Sequence, residues 1–75
     1  MFEIYKGRTT VALNYRTGPG TNYPKLGSMP TGTVVEIPET TATAGNTWAR
    51  IGYRQWAAMT YNGNVYMMWV KVGAT

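Results

Sequence analysis

The chain has 75 residues, a net charge of +4 and no cysteine or histidine. A chain of this length forms one small domain with a thin core, and without cysteine neither disulfides nor thiolate-bound metals can supplement that core. The basic residues are scattered rather than clustered, which argues against a nucleic-acid ligand, and the longest apolar run, residues 65–70, is too short to span a bilayer.

Apolar residues alternate with polar ones along the chain, and glycine or proline interrupts the pattern every few residues. This pattern predicts short β-strands and no helix. The predicted strands are residues 9–16, 25–29, 33–38, 47–54 and 65–72. Residues 1–8 are predicted to be an N-terminal extension or the end of a linker, and residues 9–75 the folded domain. Because residues 1–8 lack the organisation of a secretion signal, we expect either that the domain is not secreted by itself or that it comes from a larger parent.

The connections between the predicted strands carry strong turn signals. Residues 17–24 form one long loop after the first strand, in which Gly18-Pro19-Gly20 turns the chain and Tyr23-Pro24 returns it to the sheet. Pro30-Thr31-Gly32 is predicted to turn between the second and third strands. Residues 39–46 are small and polar, and they are predicted to form a loop.

Residues 56–61 are predicted to extend the fourth strand into a protruding hairpin. Its turn is Asn62-Gly63, because both positions of a two-residue hairpin loop must accept positive φ values. Short strands joined by tight turns and one long early loop predict an all-β fold, a small antiparallel barrel. Closing the sheet removes the free edges that a small core tolerates poorly.

Strand alternation divides the side chains between the interior and the exterior of this barrel. The smaller aliphatic sets are assigned to the interior: Leu13 with Tyr15, Val35 with Ile37, Ala49 with Ile51 and Tyr53, and Met68 with Val70 and Val72. Trp48 and Trp69 fall on the opposite faces, which they share with basic residues. We therefore expect both indole rings to be at least partly exposed.

Most side chains that catalyse reactions are missing from the sequence. There is no Asp, His or Cys, the only serine is Ser28, and the only carboxylates are Glu3, Glu36 and Glu39. A hydrolase triad lacks its base, and zinc or calcium sites lack their ligands. Glu36 alternates with aliphatic residues, so an exposed strand position explains it better than a glycosidase pair with Glu39. We expect no catalytic residue, no metal site and no cofactor.

Several motifs together resemble the bacterial SH3 (SH3b) family. The first is Leu13-Asn14-Tyr15-Arg16-Thr17-Gly18-Pro19, followed by Tyr23, Gly27, Gly32-Thr33, Val35 and Ile37. The others are Trp48-Ala49-Arg50-Ile51 and Trp69-Val70, so the resemblance covers about residues 9–72. The chain departs from the family pattern at Tyr15, where an aliphatic residue is usual, and at Met68, where glycine is usual. The stretch of residues 52–61 is also longer than is typical.

The resemblance implies an SH3-like barrel of five to seven strands that acts as a targeting module. Such modules are attached to enzymes that cut bacterial cell walls, including phage endolysins and autolysins, and they bind peptidoglycan peptides or associated glycopolymers. The resemblance thus implies a wall-binding module without catalysis of its own, partnered by an attached catalytic domain or a second copy. It acts outside the cell or at the wall, released at lysis if a phage encodes it. The early loop, residues 17–24, then borders the ligand groove.

Ligand binding by such a barrel needs ring faces held still beside amide and guanidinium groups. The candidate ligand-binding residues are Asn14, Arg16, Tyr23, Trp48, Arg50 and Trp69. Two alternatives remain open: Asn14 and Arg16 tie down the long loop through its carbonyl groups, and Trp69 caps one end of the barrel.

A second aromatic cluster surrounds the Asn62-Gly63 turn. It comprises Trp56, Met59, Tyr61 and Tyr66, and it is a candidate interface with a neighbouring domain or a second copy. The alternative is a hairpin folded back over the barrel.

Three function classes remain open at this point. The first is a cell-wall-binding module, which the motif match favours. The second is a protein-interaction module that binds an extended peptide through an aromatic groove. The third, a basic barrel that binds RNA or DNA, is disfavoured because the basic residues do not cluster.

Overall fold

The computed structural model describes residues 5–70, and all of their regular structure is β-strand. The strands are β1 Lys6–Thr9, β2 Leu13–Arg16, β3 Lys25–Met29, β4 Val34–Glu36, β5 Glu39–Thr43, β6 Asn46–Gly52, β7 Gln55–Tyr61, β8 Asn64–Val65 and β9 Met67–Val70. The predicted all-β, antiparallel architecture is confirmed. Within the described residues, no helix has the length and apolar character needed to cross a membrane.

The strands form two antiparallel sheets. The first has the order β4-β1-β9, and the second has the order β3-β2-β7-β6-β5, with β8 paired to β7. Residues 6–8, predicted to precede the domain, belong to the first sheet, where Lys6 pairs with Glu36 and Val70. The predicted first strand divides into β1 and β2 because the chain bends after Thr9, where Thr10 N donates to Tyr66 O over 2.9 Å.

The described chain has nine strands rather than five to seven, partly because residues 39–46 do not form the predicted loop. Glu39–Thr43 is strand β5, which pairs along its whole length with β6. The two strands are joined by Ala44-Gly45, both at positive φ (51° and 79°). Small polar residues are typical of a loop, but these threonines are β-branched and suit an exposed edge strand.

The prediction that residues 56–61 protrude as a hairpin is also wrong, because β7 is a central strand of the second sheet. It pairs with β6 on one side and with β2 and β8 on the other. The predicted turn is confirmed: Asn62 and Gly63 have φ values of 50° and 78° between the paired residues Tyr61 and Asn64. β7 is therefore a central strand of the domain and does not protrude from it.

The hydrophobic core lies between the two sheets. Its buried members are Leu13, Met29, Ile37, Ala49, Ala57, Met59 and Met67, with Tyr15, Val35, Ile51 and Tyr66 packed against them. The predicted interior residues of the first, third and fourth strands are thus confirmed, apart from Tyr53. That residue lies in the turn after β6 and is 81% exposed.

The interior face predicted for the last strand is wrong. Met67 is 2% exposed, whereas Met68 is 59% exposed, and Val72 lies outside the described residues. The opposing strand explains why Met67 rather than Met68 is buried, since a Cβ on Gly7 would lie 2.6 Å from the Met67 sulfur. The glycine therefore leaves the space that the Met67 side chain fills.

Candidate functional site

The long loop of residues 17–24 is held to the sheet by Arg16. Its Nη1 donates to Thr21 O and to Tyr23 O, each over 3.1 Å, and Thr17 N donates to Pro24 O over 3.1 Å. The interpretation that Arg16 ties down the loop is confirmed. It is wrong for Asn14, because among the described residues no hydrogen bond joins its exposed side chain to the loop.

Tyr23 covers the glycines of this loop. A Cβ on Gly18 would collide with the Tyr23 ring, and a Cβ on Gly20 would lie 3.3 Å from it. The glycine-rich turn is therefore required by the ring that packs on it. Tyr23 remains partly exposed, but it lines neither of the two grooves described next.

A groove of about 320 Å³ runs along this loop and is called the loop groove. It is lined by Val11, Ala12, Leu13, Asn14, Arg16, Thr21, Trp48, Ala58, Tyr61 and Tyr66. Strand alternation explains its floor: Asn14 and Arg16 lie two residues apart on β2 and so share a face. Three predicted ligand-binding residues, Asn14, Arg16 and Trp48, thus meet at one site.

The Trp48 ring forms a buried wall of the loop groove. It is 3% exposed, so the expectation of an exposed ring is wrong. The alternation itself is correct, because the core cluster contains Ala49, whereas Trp48 is buried outside that cluster. The cross-strand neighbour Ala58 leaves space for the indole, and the Tyr61 ring packs edge-to-face against it with centroids 6.2 Å apart.

The loop groove carries a positive charge. Arg16 is the charged residue among those that line it, and in the described part of the chain its guanidinium group bonds to backbone carbonyls and to no carboxylate. The exposed amide of Asn14 adds a donor and an acceptor nearby. The groove therefore offers ring surface, an amide and an uncompensated cation to a ligand.

Arg50 lies outside this groove. The strand register places Arg16, Trp56, Arg50 and Glu39 in one row across four neighbouring strands. Arg50 Nε donates to Glu39 Oε1 over 2.6 Å, so its charge is compensated. The half-buried Trp56 occupies the centre of this row.

The proposed interface cluster does not form one surface. Met59 is 4% exposed and belongs to the core, so its assignment to an interface is wrong. Tyr66 packs against the core, and Asn62 N donates to Asn46 Oδ1 over 3.0 Å. These contacts support the alternative of a hairpin packed on the domain, with Tyr61 and Tyr66 as part of the loop groove.

A second groove, of about 600 Å³, lies against the first sheet and is called the Trp69 groove. It is lined by Tyr5, Ile37, Pro38, Glu39, Thr40, Trp69 and Val70. The Trp69 ring is 54% exposed, as expected, and contacts the Tyr5 ring edge-to-face with centroids 5.8 Å apart. Ile37 N donates to Tyr5 O over 2.8 Å, which fixes the backbone beside the ring.

Sequence reasoning missed Tyr5 because it assigned residues 1–8 to an extension. The signal was present in Tyr5-Lys6-Gly7-Arg8, where an aromatic residue and a glycine alternate with cations, a pattern typical of a half-exposed strand. Trp69 is therefore separated from the other predicted ligand-binding residues and paired with a ring that was not predicted.

Comparison with known protein families supports the resemblance seen in the motifs. The model of the bacterial SH3 domain family matches residues 11–66, which is most of the chain. The chain therefore belongs to the bacterial SH3 domain family, and the predicted SH3-like fold is confirmed. No curated protein and no solved structure matches the chain significantly.

Proposed function

We propose that this bacterial SH3 domain is a non-catalytic module that binds peptidoglycan of the bacterial cell wall through the loop groove. The single observation that carries the proposal is that groove, in which an amide, a cation and aromatic rings converge beside the long loop. The module acts at the wall, outside the cell, and positions an attached wall hydrolase of the endolysin or autolysin type on its substrate.

The groove chemistry suits the peptide part of peptidoglycan. Its volume of about 320 Å³ is within the range of small-ligand sites, ~300–1,000 Å³. Asn14 can donate to and accept from a peptide backbone, and Arg16 attracts a ligand carboxylate. Tyr61, half-exposed against the buried Trp48, offers ring surface to apolar ligand groups at low entropic cost.

The net charge of +4 supports the same partner at longer range. Bacterial wall polymers carry negative groups, and a cationic module is drawn towards them before specific contacts form. An anionic glycopolymer attached to the peptidoglycan contributes to affinity in this way, but the geometry of the loop groove favours the peptide as its specific ligand.

The test is co-sedimentation of the purified chain with purified bacterial walls. Tyr61→Ala is the variant of choice, because Trp48→Ala would remove a buried ring and confuse binding with folding. We expect Tyr61→Ala to weaken wall binding about tenfold, the loss for a contact worth ~1.4 kcal/mol. Tyr53→Ala is the matched control: Tyr53 is 81% exposed, lines neither groove, and should leave binding unchanged.

Other outcomes would assign a different class. If walls leave the chain in solution while a peptide library retains it through Tyr61, the module is a protein-interaction domain. Binding to oligonucleotides that falls steeply with salt, without wall binding, would indicate a nucleic-acid ligand.

A further inference from the structure

We infer that the Trp69 groove is a second binding subsite, and that its ligand is an uncharged saccharide of the glycan strand. This inference rests on the proposed function, since it assigns the second component of peptidoglycan to a second place on the domain. The loop groove takes the peptide, and the Trp69 groove takes the sugar.

The geometry of the groove suits a pyranose ring. Tyr5 and Trp69 are each more than half exposed, yet their edge-to-face contact at 5.8 Å and 74° fixes their relative orientation. Aromatic rings held in this way offer a flat apolar surface at little cost in side-chain entropy. The buried Ile37 and the adjacent Pro38 complete an apolar floor on which the C–H face of a sugar can pack.

The charges around the groove favour a neutral, hydroxyl-bearing ligand. Glu39 is the acidic residue that lines it, and Arg50 neutralises this carboxylate across 2.6 Å. Among the described residues that line the groove, a polyanion would meet no uncompensated cation. A purely apolar partner would bury the Glu39 carboxylate and the Thr40 hydroxyl without replacing their water. Sugar hydroxyls can hydrogen-bond to both groups, with the carboxylate as a charge-assisted acceptor.

The positions of the two grooves support the binding of two components of one polymer, one in each groove. Trp69 and Tyr5 border the first sheet, whereas the loop groove lies on the second sheet. Peptidoglycan carries its peptides along a glycan strand, so one polymer can present both ligands. Two weak contacts to one polymer then reinforce each other through effective concentration.

The experiment titrates the full chain with oligosaccharides of N-acetylglucosamine, the uncharged sugar of the glycan strand, and, separately, with free stem peptide. Changes in the NMR chemical shifts of the chain and quenching of its tryptophan fluorescence report binding. We expect Trp69→Ala to weaken glycan binding about tenfold and Trp69→Phe, which keeps a ring, to weaken it less. Tyr61→Ala should leave glycan binding unchanged and weaken the peptide, and Tyr53→Ala should change neither. Circular dichroism confirms that each variant is folded.

Several results would overturn the inference. One is a glycan that fails to bind or that binds folded Trp69→Ala as tightly as the parent chain. Another is self-association that Trp69→Ala abolishes and glycan does not affect, which would assign the groove to a second copy. A third is a Trp69 environment that changes on deletion of residues 1–4 or 71–75 but not with glycan, which would assign it to the chain's own ends.

Failure of this inference can be separated from failure of the proposed function. If walls sediment the chain in a Tyr61-dependent manner but free glycan does not bind, only the saccharide subsite is lost. If free glycan binds at Trp69 but walls and stem peptide do not bind, the loop groove assignment fails instead.

Discussion

The two grooves of this domain use the same residue types in opposite ways. In the loop groove the tryptophan is a buried wall and the cation is uncompensated, whereas in the Trp69 groove the tryptophan is half exposed and the ion pair is neutral. The loop groove lies entirely within residues 11–66, which match the family, but the other groove includes Tyr5, Trp69 and Val70 from outside that segment. The family match therefore covers the whole lining of the loop groove but only residues 37–40 of the Trp69 groove, although Trp69-Val70 also resembles a motif of the family.

The difference teaches how neighbours decide the role of a strand tryptophan. Trp48 faces the small residue Ala58 and is covered by Tyr61, so it stabilises the fold and shapes the groove. Trp69 faces Gly7 and touches one ring edge, so much of its surface stays available to a ligand. Variants of the two tryptophans should separate stability from binding.

The largest effect is expected from Trp48→Ala, which breaks the wall of the loop groove. Truncating a buried tryptophan costs ~3–5 kcal/mol, a large part of the stability of so small a domain. We expect Trp48→Ala to be unfolded or nearly so at 25 °C, whereas Trp69→Ala should lose far less. Urea unfolding followed by near-ultraviolet circular dichroism measures both. Equal losses of stability in the two variants would show that the two rings contribute equally to the stability of the fold.

The loop groove was the more predictable of the two from the sequence. Asn14 and Arg16 follow from the strand period and from the glycine-proline signal after them, and both line the loop groove. The exposure of Trp48 was mispredicted because alternation gives the face of a residue and not what covers that face. The covering ring, Tyr61, belongs to β7, which the local pattern predicts as a protruding hairpin.

The Trp69 groove was hardly predictable. Its lining comes from residue 5, from residues 37–40 and from residues 69–70, which lie far apart in the sequence. Local patterns do not report such pairings, and the polar character of residues 39–43 concealed a strand. Only the register of β1 with β4 and β9 brings Tyr5, Ile37 and Trp69 together.

A smaller effect should come from Arg16→Lys, which keeps the charge of the loop groove but removes the planar guanidinium group. Arg16 Nη1 donates to both the Thr21 and Tyr23 carbonyls, and the shorter, flexible lysine side chain, which lacks the planar guanidinium group, does not place its ammonium group at the same position. Loss of these charge-assisted bonds should cost ~1–3 kcal/mol and speed amide hydrogen exchange in residues 17–24. Stem-peptide binding should weaken while glycan binding persists. A loop that stays equally protected would show that its glycine turn and Tyr23 hold it without Arg16.

The smallest effect is expected from Glu39→Gln, which tests the neutrality of the Trp69 groove. Glu39 and Arg50 are both partly exposed, so the loss of their ion pair should change stability by no more than ~1 kcal/mol. The substitution keeps a hydrogen-bonding side chain of similar size but leaves the Arg50 charge uncompensated.

Glycan binding to the parent chain should be nearly independent of salt, because the groove is neutral and its ligand uncharged. In the variant, neutral glycan should bind more weakly, since an amide is a poorer acceptor than a carboxylate, whereas anionic wall fragments should gain a salt-dependent affinity. Titrations at low and high salt measure both changes, and the same salt dependence in parent and variant would mean that the ion pair does not set the charge of this groove.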